Sequence, residues 1–343
     1  MNDEAHDVLE GAIPPARNPN LFGHQAAEAF LARSYRSGKG HHAILIEGPE
    51  GIGKATLAFR FANHVLTHPD PDAAPDVLAA PDLDAPLTRQ IASGASHSLL
   101  HLTRPVDEKS GKAKTAITVD EVRRAGHFLA QTSGTGNWRI VIIDPADDLN
   151  RNAANAILKI LEEPPRRSLF LVLSHAPGKL LPTIRSRCLP LRLSPLKDAD
   201  LSRALAALGS PLDGGKTEEA VLAMSGGSLS QALKLLNYGG ADIMAAFNDL
   251  LSTQGPAARK AMHRLADVLS AKDSDVVFGF FLQHLQDHLV AKARASALAG
   301  EIAVADRHAR LASDINERLT VSQAYNLDRK QTVLSILEAV HAG

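Results

Sequence analysis

The sequence predicts an α/β domain followed by an all-α region. The first part is a parallel sheet with helices on both faces; a small helical domain and a longer helical domain come after it. Three observations carry this. A short apolar run, Ala43–Glu47, leads into a glycine-rich loop and then a helical pattern over 57–66. Two further runs, Ile140–Ile143 and Leu169–Leu173, are apolar at every position, as strands buried on both faces are. After Pro195 no strand pattern remains.

The elements follow in order. Met1–Asn20 is polar and acidic, carries Pro14-Pro15 and lacks the blocks of a signal peptide, so it reads as a mobile tail. Leu21-Phe-Gly-His-Gln25 opens a helix ending near Tyr35, and the strand at 43–47 follows. Residues 67–86, rich in Pro, Asp and Ala, read as a surface insertion with little regular structure. A second strand is expected within 97–103. Asp120 is a candidate N-cap for a helix running to about Gln131. A turn at 133–137 precedes the strand at 138–144. A helix over 151–163 stops at Pro164-Pro165, which remove donors and restrict the residue before them. The strand at 169–174 completes the pattern of strands alternating with helices that marks a covered parallel sheet. Three helices are expected at 198–208, 216–225 and 228–237, and 241–342 is helical throughout. There, Val276, Phe280, Leu282, Leu285 and Leu289 recur at near-helical spacing, as core positions do. The domain boundaries read as a tail to 20, a nucleotide-binding domain over 21–194, a small helical domain over 195–240 and a helical domain over 241–343.

A length of 343 residues suits two or three domains, and 45% hydrophobic with 22% charged residues is ordinary for a globular chain. A net charge of −1 argues against a stand-alone non-specific DNA binder. The single cysteine, Cys188, excludes an intramolecular disulfide and a Cys-rich zinc site, and fits a reducing compartment. No apolar stretch approaches the ~20 residues that span a bilayer, so a cytoplasmic protein with no membrane partner is expected. His41, His42, His97 and His101 have no acid or Cys cluster to complete a metal site; no metal is assigned.

The loop Gly48-Pro-Glu-Gly-Ile-Gly-Lys-Ala-Thr56 places Gly48, Gly51, Gly53 and Lys54 at the spacing of G-x-x-x-x-G-K-[ST]. Glycines let backbone N–H groups approach phosphate oxygens at a helix N-terminus, and Lys54 brings a point charge for the outer phosphates. The last motif position, whose hydroxyl holds magnesium, is Ala55. Thr56 stays with the nucleotide-binding residues but faces another direction and is not given the magnesium role. Asp144 ends an apolar strand, where such an acid reaches the magnesium of a nucleotide, or else begins a turn. Pro145 follows it, and Asp147 and Asp148 read as caps of the next helix. Ser174 ends the next strand, at the same sheet edge as the loop, where it contacts a terminal phosphate or is simply buried. Arg187, within Ser186-Arg-Cys188, is either a solvated charge or a group that reaches a neighbouring subunit's phosphates.

Leu21-Phe-Gly-His-Gln25, the loop, Ile140-Val-Ile-Ile-Asp144, Asn152-Ala-Ala-Asn-Ala-Ile-Leu-Lys-Ile-Leu-Glu-Glu-Pro-Pro165 and Ser186-Arg-Cys188 occur in that order. This resembles the clamp-loader branch of the AAA+ proteins over about residues 21–240, most specifically at 152–165. The resemblance implies a P-loop domain, a helical lid and a helical collar. It implies a five-subunit ring with delta and gamma/tau subunits that loads a sliding clamp onto primed DNA. It makes Gly48, Gly51, Gly53 and Lys54 the phosphate loop, Asp144 the acid of the second nucleotide motif, Ser174 the sensor and Arg187 an arginine finger acting in trans. The departures are Ala55, Pro145 in place of the catalytic Glu, Ser230 where hydrolysing relatives have Arg, and no zinc-binding cysteines near 67–95. They fit the delta-prime family, a non-hydrolysing part of a DNA-directed DNA polymerase holoenzyme. They fit less well an active gamma/tau-like ATPase, the alternative. No cofactor is then required, and bound ATP or ADP would not turn over.

Overall fold

The computed structural model describes residues 9–38, 40–107, 113–130, 137–212, 214, 216–272 and 274–342. The chain divides into two compact units, one of 1–213 with 225–231 and one of 214–224 with 232–343.

In the first unit the elements run α1 (Gln25–Arg36), β1 (Ala43–Glu47), α2 (Lys54–Thr67), α3 (Pro86–Ala92), β2 (Leu99–Leu102), α4 (Val119–Ala130), β3 (Arg139–Ile143), α5 (Arg151–Glu162), β4 (Ser168–Ser174), α6 (Pro182–Arg185), β5 (Leu189–Arg192) and α7 (Asp198–Ala207). The strands form one parallel sheet in the order β2-β3-β4-β1-β5. Alternation along each strand sends neighbours to opposite faces. Ile44, Ile46, Ile140, Ile142, Leu169 and Leu171 join Leu31, Leu57, Phe61 and Val65 in one core. Leu45, Val141, Ile143, Phe170 and Val172 join Val122, Leu129, Ile157 and Leu161 in the other. Both faces are therefore covered, as the uniformly apolar strands require.

Several local expectations are corrected. Thr118, not Asp120, begins α4: its N–H donates to Glu121 Oε2 at 3.0 Å and its hydroxyl donates to the same carboxylate, while Asp120 pairs with Arg123. This is the backward reach of a capping box. Part of the expected tail is ordered. Pro15–Arg17 forms a 3-10 turn, and Ala16 packs against the first core; residues 1–8 lie outside the described residues. The expected turn at 133–137 lies largely outside them as well. The irregular stretch after α2 is anchored by buried Ala74 and Leu78.

The second unit holds α8 (Lys216–Ser225, all but its last residue), the body of α9 (Leu229–Asn237), α10 (Gly240–Ser252), α11 (Pro256–Leu269), α12 (Asp275–Leu298), α13 (Ile302–Ala324) and α14 (Arg329–Ala342). Its core gathers Phe247, Phe281, Leu285, Leu289, Val333, Ile336 and Leu337. The buried stripe of α12 is Val277, Phe281, Leu285 and Leu289, a strict spacing of four, whereas Val276 is 38% exposed. The apolar run 276–282 fills most of a helix circumference, so spacing alone does not choose the face.

Candidate functional site

The sheet order sets the site. Because β4 lies between β1 and β3, the C-terminal ends of all three strands meet at one edge. Glu47 is in register with Ser174, and the Gly48 N–H donates to Ser174 O at 3.2 Å. The loop leaves β1 here and enters α2 at Lys54. Gly48 has φ +152°, and a Cβ there would sit 2.6 Å from Leu193 O. Gly51 has φ +75°, and its Cβ would meet Ser228 Oγ at 2.4 Å and Ser230 Cβ at 2.5 Å. Only glycine satisfies both the dihedrals and the space.

Lys54 is 4% exposed and donates to Gly48 O at 2.6 Å and Pro49 O at 2.5 Å. Burial pushes its ammonium down to about 8, against the opposing pull of Asp144, Glu50 and Asp147. It therefore carries its charge at neutral pH, turned back into its own loop. Ala55 and Thr56 follow in the first turn of α2, so the position after Lys54 has no hydroxyl. Thr56 is 8% exposed and, with Leu21, Phe22, Ile52, Gly53, Leu196 and Leu229, borders a cavity of about 30 Å³, large enough to admit water.

Asp144, one residue past β3, lies 3.4 Å from His101 Nε2, and the Asp144–Pro145 peptide is cis. Ser174 is fully buried at the end of β4, and its hydroxyl donates to Asp147 Oδ1 at 2.8 Å. The other oxygen of Asp147 accepts from the His175 and Ala176 N–H groups at 2.5 and 3.4 Å. Asp147 is thus not a helix cap. Asn150 caps α5, accepting from Ala153 N at 2.9 Å. Burial, with the Lys54 charge adding to it, lowers the pKa of His175.

Two further residues hold the loop: His24, from the Leu21–Gln25 motif, and Ser228, two residues before Ser230. His24 donates from Nε2 to Ile52 O at 2.7 Å, and burial lowers its pKa. Ser228 donates from Oγ to Glu50 O at 2.8 Å, and the Leu229 N–H donates to Gly51 O at 2.9 Å. The 228–230 segment therefore braces the outer side of the loop.

Arg187 stands elsewhere. It sits in the turn between α6 and β5, donating to Thr183 O at 2.9 Å and to Glu162 at the end of α5. Its hydrogen bonds do not run to the loop. The neighbouring Cys188 thiol is buried and pushed up to about 12, which leaves it unreactive.

A sequence model described as DNA polymerase III, delta subunit, matches residues 23–197, just over half of the chain. The chain belongs to that family. Among relatives of this polymerase III delta-subunit family member, the delta' subunit of Pseudomonas aeruginosa is 37% identical over 198 residues, 58% of this chain and 56% of that protein. The delta' subunit of Escherichia coli is 31% identical over 158 residues, 46% of this chain and 44% of that protein. The gamma subunit of Buchnera aphidicola is 26% identical over 236 residues, 68% of this chain and 61% of that protein. The chain thus spans about half the length of the delta' relatives. Among the described residues, no helix is long and apolar enough to cross a membrane, and no group of three or more His, Cys, Asp and Glu is placed to hold a metal ion.

Proposed function

We propose that this chain is a delta-prime-type subunit of a clamp loader, silent as an ATPase, that supplies Arg187 in trans to the nucleotide of a neighbouring gamma/tau subunit. In this reading it stands in a five-subunit ring with delta and gamma/tau, and the ring places a sliding clamp on primed DNA. The small helical domain over 195–240 serves as a lid and the helices beyond as a collar.

The carrying observation is the separation of two features. The loop is formed, yet Ala55 stands where a magnesium hydroxyl would be, Pro145 where an acid would orient water, and Ser230 where an arginine would reach the phosphates. Arg187 meanwhile keeps its cation on a different part of the unit, one third exposed. Transition-state charge on a transferred phosphoryl group can be met by such an arginine from a second chain as well as from the same one. Gly48, Gly51, Gly53, Lys54, Thr56, Asp144 and Ser174 would form the chain's own nucleotide cradle, holding ATP or ADP without turnover.

The test is co-expression with the delta, gamma/tau and clamp proteins of the same organism, followed by mass measurement of the complex and an ATPase assay of the purified chain. A stable complex containing this chain, with no turnover by the chain alone, is expected. Turnover that Lys54→Ala abolishes would instead favour a gamma/tau-like ATPase, and failure to join the complex would remove the chain from the loader.

A further inference from the structure

Arg187 is held at two points. One nitrogen donates to the Thr183 carbonyl at 2.9 Å, and another donates to the Glu162 carboxylate. Both side chains are open to water, at 33% and 48% exposure. Glu162 is the last residue of α5, where the helix dipole disfavours an anion, and Pro164-Pro165 prevent the helix from continuing past it. A carboxylate in that place is better stabilised by an external cation, and Arg187 provides it.

A guanidinium binds carboxylate and phosphate through the same planar fork of donors, so the two anions compete for it. We propose that Glu162 is a latch on Arg187, a positioning residue. It parks the guanidinium against α5 and α6 while the subunit is alone and yields it to the phosphates of a nucleotide on a neighbouring chain. This rests on the trans role given to Arg187 above. The latch is weak by construction. An ion pair this exposed shifts an equilibrium by no more than about fivefold. It suffices to bias a free finger away from stray anions, and a nucleotide polyanion brought close by assembly displaces it.

The test uses the rebuilt clamp-loader complex, with ATP hydrolysis measured in the presence of clamp and primed DNA. Glu162→Gln removes the charge at constant size, and the expected result is a KM for ATP lowered about two- to fivefold with kcat little changed. Glu162→Asp, which keeps the charge, should stay near wild type. In the Glu162→Gln, Arg187→Ala double variant the effect of the first change should vanish. If Arg187→Ala lowers hydrolysis but Glu162→Gln leaves KM unaltered, the latch is wrong and the trans role stands. If Glu162→Gln lowers kcat as Arg187→Ala does, Glu162 aims the finger rather than restraining it, and the latch is again wrong. If Arg187→Ala has no effect, both ideas fall.

Discussion

Replacing Gly51 by Ala should be among the most damaging single-methyl additions in the first unit. The added Cβ would lie 2.4 Å from Ser228 Oγ, 2.5 Å from Ser230 Cβ and 2.6 Å from Ser230 Oγ. Ser230 Cβ cannot swing aside without moving backbone. The residue would also be held at φ +75°, a left-handed conformation costing a side chain about 1–2 kcal/mol. Relief of the clash requires 228–230 to lift away, which breaks the bonds from Ser228 Oγ to Glu50 O and from the Leu229 N–H to Gly51 O. Each is worth about 1 kcal/mol. The sum is about 3–4 kcal/mol, or roughly 6–16 °C in the melting temperature of a domain this size. Thermal or urea unfolding gives the first quantity, and amide hydrogen exchange at Leu229 reports the lifting directly. Ser228→Ala, which loses one bond without a clash, should cost only about 1 kcal/mol. A Gly51→Ala loss below about 1 kcal/mol, with exchange at Leu229 unchanged, would refute the bracing of the loop by 228–230.

Acid should weaken the first unit through His64. It is 5% exposed, its Nε2 has no partner, and burial lowers its pKa from 6.5 to about 4. The unfolded chain therefore takes up the proton first, so the contribution is intact above about pH 6.5 and is lost as pH falls toward 4. That drop is about 3 kcal/mol; urea midpoints between pH 7.5 and 4.5 should fall less steeply for His64→Leu, and parallel curves would contradict the assignment. His24, His42 and His175 shift in the same direction and add to the wild-type slope. Asp147→Asn should weaken the acceptors for Ser174 Oγ and the His175 N–H, costing about 1–3 kcal/mol, which equilibrium unfolding measures. An unchanged midpoint would show that the β4 edge does not depend on that carboxylate.

Much of the sheet is legible in sequence because buried parallel strands are apolar throughout. Ile140–Ile143 and Leu169–Leu173 cannot be accommodated as one-sided strands. β5 is not legible: Leu189-Pro-Leu-Arg192 is short, alternately exposed and contains Pro190, which an edge strand tolerates and a sequence pattern discounts. α3 begins with Pro86, the last residue of a stretch whose composition suggests no regular structure. At the site, the loop and Asp144 announce themselves by local spacing. Asp147 does not, because its partners Ser174 and His175 are distant in sequence. The same holds for Ser228 against Glu50, a contact that exists only once α7 and the start of α9 return to the loop. The pairing of Glu162 with Arg187 needs α5 and α6 to pack, so neither motif alone reveals it.

The most direct measurement is ATP hydrolysis by the complex rebuilt with Arg187→Ala, stimulated by clamp and primed DNA. If Arg187 acts in trans, the site facing this chain loses on the order of a thousandfold in rate, leaving only the contribution of the remaining sites. A rate equal to that of the wild-type complex would contradict the trans role.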